Sequence, residues 1–275
     1  MKYYLETNAL IDLSNHLGNP ALNDIAFTSV YAMLELVSGI NNENFNRKRS
    51  ALKKLHEAQL ALDFIFPEEK LADCFSAIEF EEGRKDDLIT LTQLIIESES
   101  INEASNKIAA KGVHFDLLYF IDYDDRWRKN FIDATIAGNK EIKQLLSAEK
   151  STNEDTSNVL FNQIRSSKRF NFDLTLFSIA ASYAKSTGID EEEIFASYNG
   201  NGDIFIQALS DYGIDKMARN EIPAKNDIFD ITHLLYLHDK GDVIVSNDRI
   251  YEKLFNGHTY SNVISNRSFS DKYLV

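Results

Sequence analysis

The strongest constraint on the fold is a pair of short apolar runs placed near opposite ends of the chain. The first, YYL at residues 3–5, passes directly into Glu6 and then TNALIDL, which reads as a helix start, so strand and helix form a βα unit. The second, DVIV at 242–245, is continuous in its apolar residues rather than alternating, the pattern of a strand buried on both faces of a parallel sheet. Strands of one sheet drawn from both ends imply an α/β core with the rest of the chain inserted between them. In open parallel sheets, ligands bind beyond the carboxyl ends of the strands. The first run ends on Glu6 and the second leads through Ser246 and Asn247 to Asp248, so two carboxylates are expected to meet there.

Between these ends the text is mostly helical. Residues 25–28 read as a second strand or as the lead into a helix over 29–40, with Thr28 and Ser29 as caps. NRKRSALKKLHEAQLALDFIF at 46–66 reads as one amphipathic helix with Leu52, Leu55, Leu60 and Leu62 inward. From Pro67 to about Tyr198 the pattern stays helical, without strand alternation. KSTNEDTSN at 150–158 reads as a linker, and YNGNGD at 198–203 as a break whose glycines permit positive φ. NDIFDITHLLYLHDKG at 226–241 predicts a helix capped by Asn226 or Asp227 and closed at Gly241. The expected organisation is a core of 1–65 and 205–275 with a large all-α insertion over 66–204.

Composition narrows the function classes. At 275 residues and 44% hydrophobic, the chain can bury a large core, and no stretch approaches the ~20 apolar residues of a membrane span. The expected setting is cytoplasmic, without membrane contact. A single cysteine, Cys74, forbids an intramolecular disulfide and reads as a buried thiol in a helix. A formal net charge of −14 argues against coating nucleic acid by bulk electrostatics, because such affinity comes from neutralising phosphates with Lys and Arg. It leaves room for an enzyme that holds a polyanion through a few local cations and a metal.

The opening strand-acid-Thr-Asn (Leu5-Glu6-Thr7-Asn8), Glu35 in the second helix, and NDIFDITHLLYLHDKGDVIVSND at 226–248 together resemble the PIN-domain nucleases. The resemblance covers about the first 60 and the last 75 residues and leaves the helical middle outside it. It implies a central parallel sheet sandwiched by helices and an acidic pocket that binds Mg²⁺ or Mn²⁺ and hydrolyses RNA. Glu6, Glu35, Asp230 and Asp248 match the family's metal-site acids, while Asn8 and Ser246 match its neighbouring polar positions. The family usually has Asp where this chain has Glu6, one methylene longer. Two to four carboxylates can hold Mg²⁺, and a metal-bound water at lowered pKa can attack phosphorus. The partners implied are an RNA substrate and an inhibitory protein of the kind that accompanies toxin-like nucleases. The apolar runs from Leu88 and Leu174 suit packing against a neighbour or a second protomer.

Each residue also has a plainer reading. Glu35 is the only charged residue between Asp24 and Glu43, yet a helical wheel sets it away from the Val30, Met33, Leu34, Val37 stripe, as for a solvated side chain. Asp227 shares a helix face with Asp230 and reads more simply as a cap. Arg47, Lys48, Arg49, Lys53 and Lys54 form either a phosphate track or a solvated helix face. The acids around Trp127 read as a mixed charged face. His233 and His238 lie five apart, off one helix face and outside any HExxH, and read as surface side chains. Two rivals to the nuclease follow: a PIN-fold RNA- or protein-binding module without catalysis, and an α/β support for a helical interaction domain.

Overall fold

A computed structural model describes residues 1–58, 60–80, 83–150, 167–219, 221–224, 226–237, 241–255 and 262–274. The chain begins with β1 (Tyr3–Leu5), α1 (Thr7–Asp12), α2 (Pro20–Asn23), β2 (Ala26–Ser29), α3 (Val30–Ser38), α4 (Phe45–Glu57) and β3 (Ala61–Asp63). A helical stretch follows: α5 (Pro67–Ala72), α6 (Lys85–Ile96), α7 (Ile101–Lys111), α8 (Leu117–Lys150), α9 (Lys168–Thr187), α10 (Glu191–Ala196), α11 (Asp203–Arg219) and α12 (Asp227–Thr232). It closes with β4 (Val243–Val245), α13 (Arg249–Phe255), β5 (Asn262–Ile264) and α14 (Asn266–Tyr273). The expected βα start and the buried strand over DVIV are both present.

The sheet has five strands in the order β3-β2-β1-β4-β5, with every neighbouring pair parallel. The chain walks outward from β1 to β3, then returns to place β4 on the other side of β1, where Tyr4 aligns with Ile244. The direction of strand order therefore reverses at β1 and β4, and such a switch point opens a crevice at the carboxyl ends of the strands. Tyr3, Tyr4 and Leu5 are all buried, as are Val243, Ile244 and Val245, which explains their unbroken apolar text. Ser29 starts α3 by accepting the Ala32 N–H at 3.3 Å. Every residue of α3 is buried except Glu35, so this helix has no solvent face on which Glu35 could simply sit.

Several expectations change. The helix expected over 46–66 stops at Glu57, and Ala61–Asp63 forms an edge strand beside β2, since three residues carry no period that distinguishes them from a helix tail. Cys74 is buried as expected but lies in a turn after α5, where its carbonyl accepts the Asn199 N–H at 2.9 Å. The helix begun at Asp227 ends at Thr232 and passes into a 3-10 turn, His233–Tyr236. Residues 238–240, leading to the expected Gly241 cap, and 151–158 of the expected linker lie outside the described residues. The break at 198–203 is real, with Gly200 at φ 90°.

Packing divides the chain into two compact units: 1–70 with 80–126 and 233–275, and 71–79 with 127–232. The first holds the whole sheet. The second is helical apart from one antiparallel bridge, Phe75 to Tyr198. Residues 80–126 thus go with the sheet, and 205–232 with the helical unit. Among the described residues, no helix is long and apolar enough to cross a membrane.

Candidate acidic site at the carboxyl ends of the strands

Glu6 follows β1 directly and is the N-cap of α1, with an extended backbone at φ −75° and ψ 178°. Its carboxylate folds back onto its own helix: Oε2 accepts the Asn8 N–H at 2.8 Å and Oε1 the Ala9 N–H at 3.2 Å. Two donors that no turn of α1 can satisfy are met this way. The side chain is only 2% exposed. Burial pushes its carboxyl up, the neighbouring His233 imidazole and the Asn8 N–H pull it down, and Asp248 and Glu35 push it up again, to about 7.

The next two residues reach the other acids. Thr7 Oγ1 donates to Glu35 Oε2, and Asn8 Nδ2 donates to Asp248 Oδ2 at 2.8 Å. One tripeptide at the end of the central strand thus ties acids from β1, from α3 and from the turn after β4. Three sequence candidates, Glu6, Glu35 and Asp248, are brought together, along with both polar neighbours, Asn8 and Ser246.

Glu35 is half-buried rather than solvated. Burial pushes its carboxyl up, but His233, Thr7 and Lys48 outweigh this and hold it below the ordinary value. His233 Nε2 lies 2.7 Å from Glu35 Oε2, and Lys48 Nζ donates to the Glu35 carbonyl at 2.9 Å. Lys48 crosses Gly39 so closely that a Cβ there would stand 2.3 Å from Nζ. Burial lowers the Lys48 ammonium, and Glu35 and Asp124 restore part of the shift. Asp124, expected on a solvated charged face, is instead buried and accepts a hydrogen bond from Ser38.

Asp248 is more open. Its N–H donates to Ser246 Oγ at 2.9 Å, closing a tight turn that leaves the carboxylate to Asn8. Behind the turn, Asp12 accepts from Asn266 Nδ2 at 2.9 Å and pairs with Arg47 at 3.0 Å, while Asn247 Oδ1 accepts the Asn266 N–H at 3.1 Å. These bonds fix the loop that carries Asp248.

The remaining candidates divide. Asp230 belongs to the second unit. Asp227, also in the second unit, accepts from the Ala224 N–H at 3.1 Å and from the Tyr212 hydroxyl, so its carboxylate is committed to local structure. Of the basic cluster, only Lys48 touches the acids. Arg47 is bound to Asp12, Arg49 donates to the Ile96 carbonyl at 2.9 Å, and Lys53 and Lys54 both lie against Glu57, at 3.9 and 3.6 Å. His238 lies outside the described residues.

His233 is the residue that sequence reasoning missed. It is 1% exposed, between the rings of Tyr31 and Tyr4 at centroid distances of 4.9 and 5.6 Å. A signal was available: a polar ring inside the apolar run Ile231-Thr232-His233-Leu234-Leu235 must find partners if that run is buried.

In donor chemistry the acids suit a hard divalent cation. Among the described residues, no three His, Cys, Asp or Glu side chains form a ready-made metal cage. Mg²⁺ needs none, because it is commonly held by one or two carboxylates and retains several waters. The Glu6 carboxyl is raised mainly by burial and further by Asp248 and Glu35, and an added positive charge would relieve that second part. Set against family models, curated proteins and solved structures, the chain matches none of them.

Proposed function

We propose that this protein is a Mg²⁺- or Mn²⁺-dependent endoribonuclease of the PIN kind, acting at the acids gathered around Glu6-Thr7-Asn8. The observation that carries the reading is that tripeptide: Glu6 is itself an acid, Thr7 binds Glu35, and Asn8 binds Asp248. Such a cluster at the switch point of a parallel sheet is a place for a ligand rather than for packing. One or two of Glu35, Asp248 and Glu6 would hold the ion, with its remaining positions left to water; when bound it would supply an activated water and offset charge developing on the phosphate oxygens. Asn8 and Ser246 orient Asp248, Thr7 orients Glu35, and Lys48 brings a cation beside an otherwise acidic group. The resemblance also names Asp230, which belongs to the second unit.

The non-catalytic module is favoured by a different observation: both Glu6 oxygens already accept from α1, a purely structural task. One experiment separates the two. Purified full-length protein is incubated with mixed single-stranded RNA in Mg²⁺, in Mn²⁺ and in chelator, beside Asp248→Asn. Cleavage that needs metal and Asp248 supports the enzyme; folded, RNA-binding protein without cleavage in either metal supports the module.

A further inference from the structure

A polar chain leads to Glu35 through buried side chains of the sheet unit. His233 Nε2 stands 2.7 Å from Glu35 Oε2, His233 Nδ1 stands 2.7 Å from the Tyr4 hydroxyl, and that hydroxyl stands 2.7 Å from Ser29 Oγ. Tyr4, Ser29 and His233 are buried, so each hydroxyl and ring nitrogen needs a partner of the right kind. Ser29 Oγ already accepts the Ala32 N–H. Glu35 Oε2, a carboxylate oxygen, can only accept, so the imidazole carries its proton on Nε2; Nδ1 then accepts the Tyr4 proton, and the Tyr4 oxygen accepts from Ser29 Oγ. The donors run in one direction and end on Glu35. Thr7 donates to the same oxygen, so both side-chain donors converge on Oε2 and neither uses Oε1.

We infer that His233, aligned by Tyr4 and Ser29, is a positioning residue that ties down Oε2 of Glu35 and leaves Oε1 as the single oxygen offered to a cation. The inference rests on the proposed metal-dependent reading and adds to it a device that runs through Tyr4 of the sheet's central strand. A carboxylate held by one oxygen binds an ion from one direction only, which suits an ion with near-ideal octahedral demands. Partners that orient a ligating side chain typically change metal affinity by about 10–100-fold when removed. Ser29 has a double task here, since the hydroxyl that starts α3 also sets the direction of the proton chain.

The test uses the full chain and Mn²⁺ alone. Calorimetry should show wild-type binding, weakened about 10–100-fold in Tyr4→Phe, which removes one oxygen, and in His233→Leu. His233→Gln, which keeps an N–H near the position of Nε2, should recover most of the affinity. In the wild type, nitrogen NMR should place the proton of the neutral His233 ring on Nε2 rather than Nδ1, a readout that does not depend on any variant folding. A proton on Nδ1 alone overturns the inference. So does Mn²⁺ affinity unchanged in Tyr4→Phe and His233→Leu while the wild type binds. A wild type that binds no Mn²⁺ overturns the nuclease reading and this inference with it.

Discussion

Glu6 and Asp248 occupy matching places, each beyond the carboxyl end of a buried strand in the same sheet, yet they are held in opposite ways. Glu6 comes immediately after β1, bends back onto α1 and is almost wholly buried. Asp248 comes three residues after β4, on a turn closed by its own main chain and Ser246, so its carboxylate stays half-exposed and bound only by side chains. The strand end delivers a carboxylate in both cases, and the local cap decides what it is free to do. Burial makes Glu6 costly to ionise.

The largest test of this difference is chemical. Asp248→Asn should lower metal-dependent RNA cleavage by at least about 100-fold with little change in unfolding midpoint, because a charge at the metal is lost while the turn survives. If Glu6→Gln proves the more damaging of the two to cleavage, the assignment of roles is reversed.

The next effect lies in stability against pH. Because Glu6 titrates near 7 in the folded protein and near 4.5 in the unfolded chain, the native state holds its proton more tightly. Its contribution is fully present below pH 4.5 and is lost as pH rises through 7, a swing of about 3 kcal/mol at 1.36 kcal/mol per unit. Denaturant midpoints of wild type and Glu6→Gln should diverge across that window. Added Mg²⁺ should flatten the wild-type slope by favouring the ionised form. Parallel curves from pH 4.5 to 8 would show that Glu6 titrates normally.

Smaller again is the link between the two acids. Asn8→Ala removes the bond to Asp248 but leaves the main-chain N–H that Glu6 uses. It should cost about 1 kcal/mol, or roughly 5-fold in apparent metal affinity, and should leave the Glu6 pH window in place. A lost window would mean that Asn8 couples the two acids rather than merely steering one. Smallest is charge reversal of Lys53 and Lys54, which face Glu57: cleavage at saturating RNA should stay within about 2-fold, as for exposed pairs of this kind.

Much of the core was legible because its strands are buried on both faces and therefore unbroken in apolar residues. β3 and β5 were not. Each is three residues long, too short to show a period, and β3 hides in the tail of a convincing amphipathic helix. Glu6 and Asp248 were legible as acids at strand ends, and Glu35 through the resemblance to the PIN nucleases. His233 was not, since its meaning lies in contacts with Glu35 and Tyr4, 198 and 229 residues away in sequence. Lys48 was named for the wrong company: it was grouped with four other cations, but only its place across Gly39 brings it to the acids.

The pairing of β1 with β4 also sets a clock. Tyr4 waits for Ile244, so the centre of the sheet has an open side until the chain has been synthesised almost to its last strand. At the ribosome's ~5–20 residues per second, that interval is roughly 12–50 s. Such distant partners also make closure slow once both are present. During the wait Tyr3, Tyr4 and Leu5 offer an unpaired apolar edge, the kind of surface that chaperones bind and aggregates grow from. Asp248 arrives just after β4. A nascent chain therefore carries Glu6 and Glu35 without their third acid, and whatever chemistry the site performs is withheld until synthesis has passed β4.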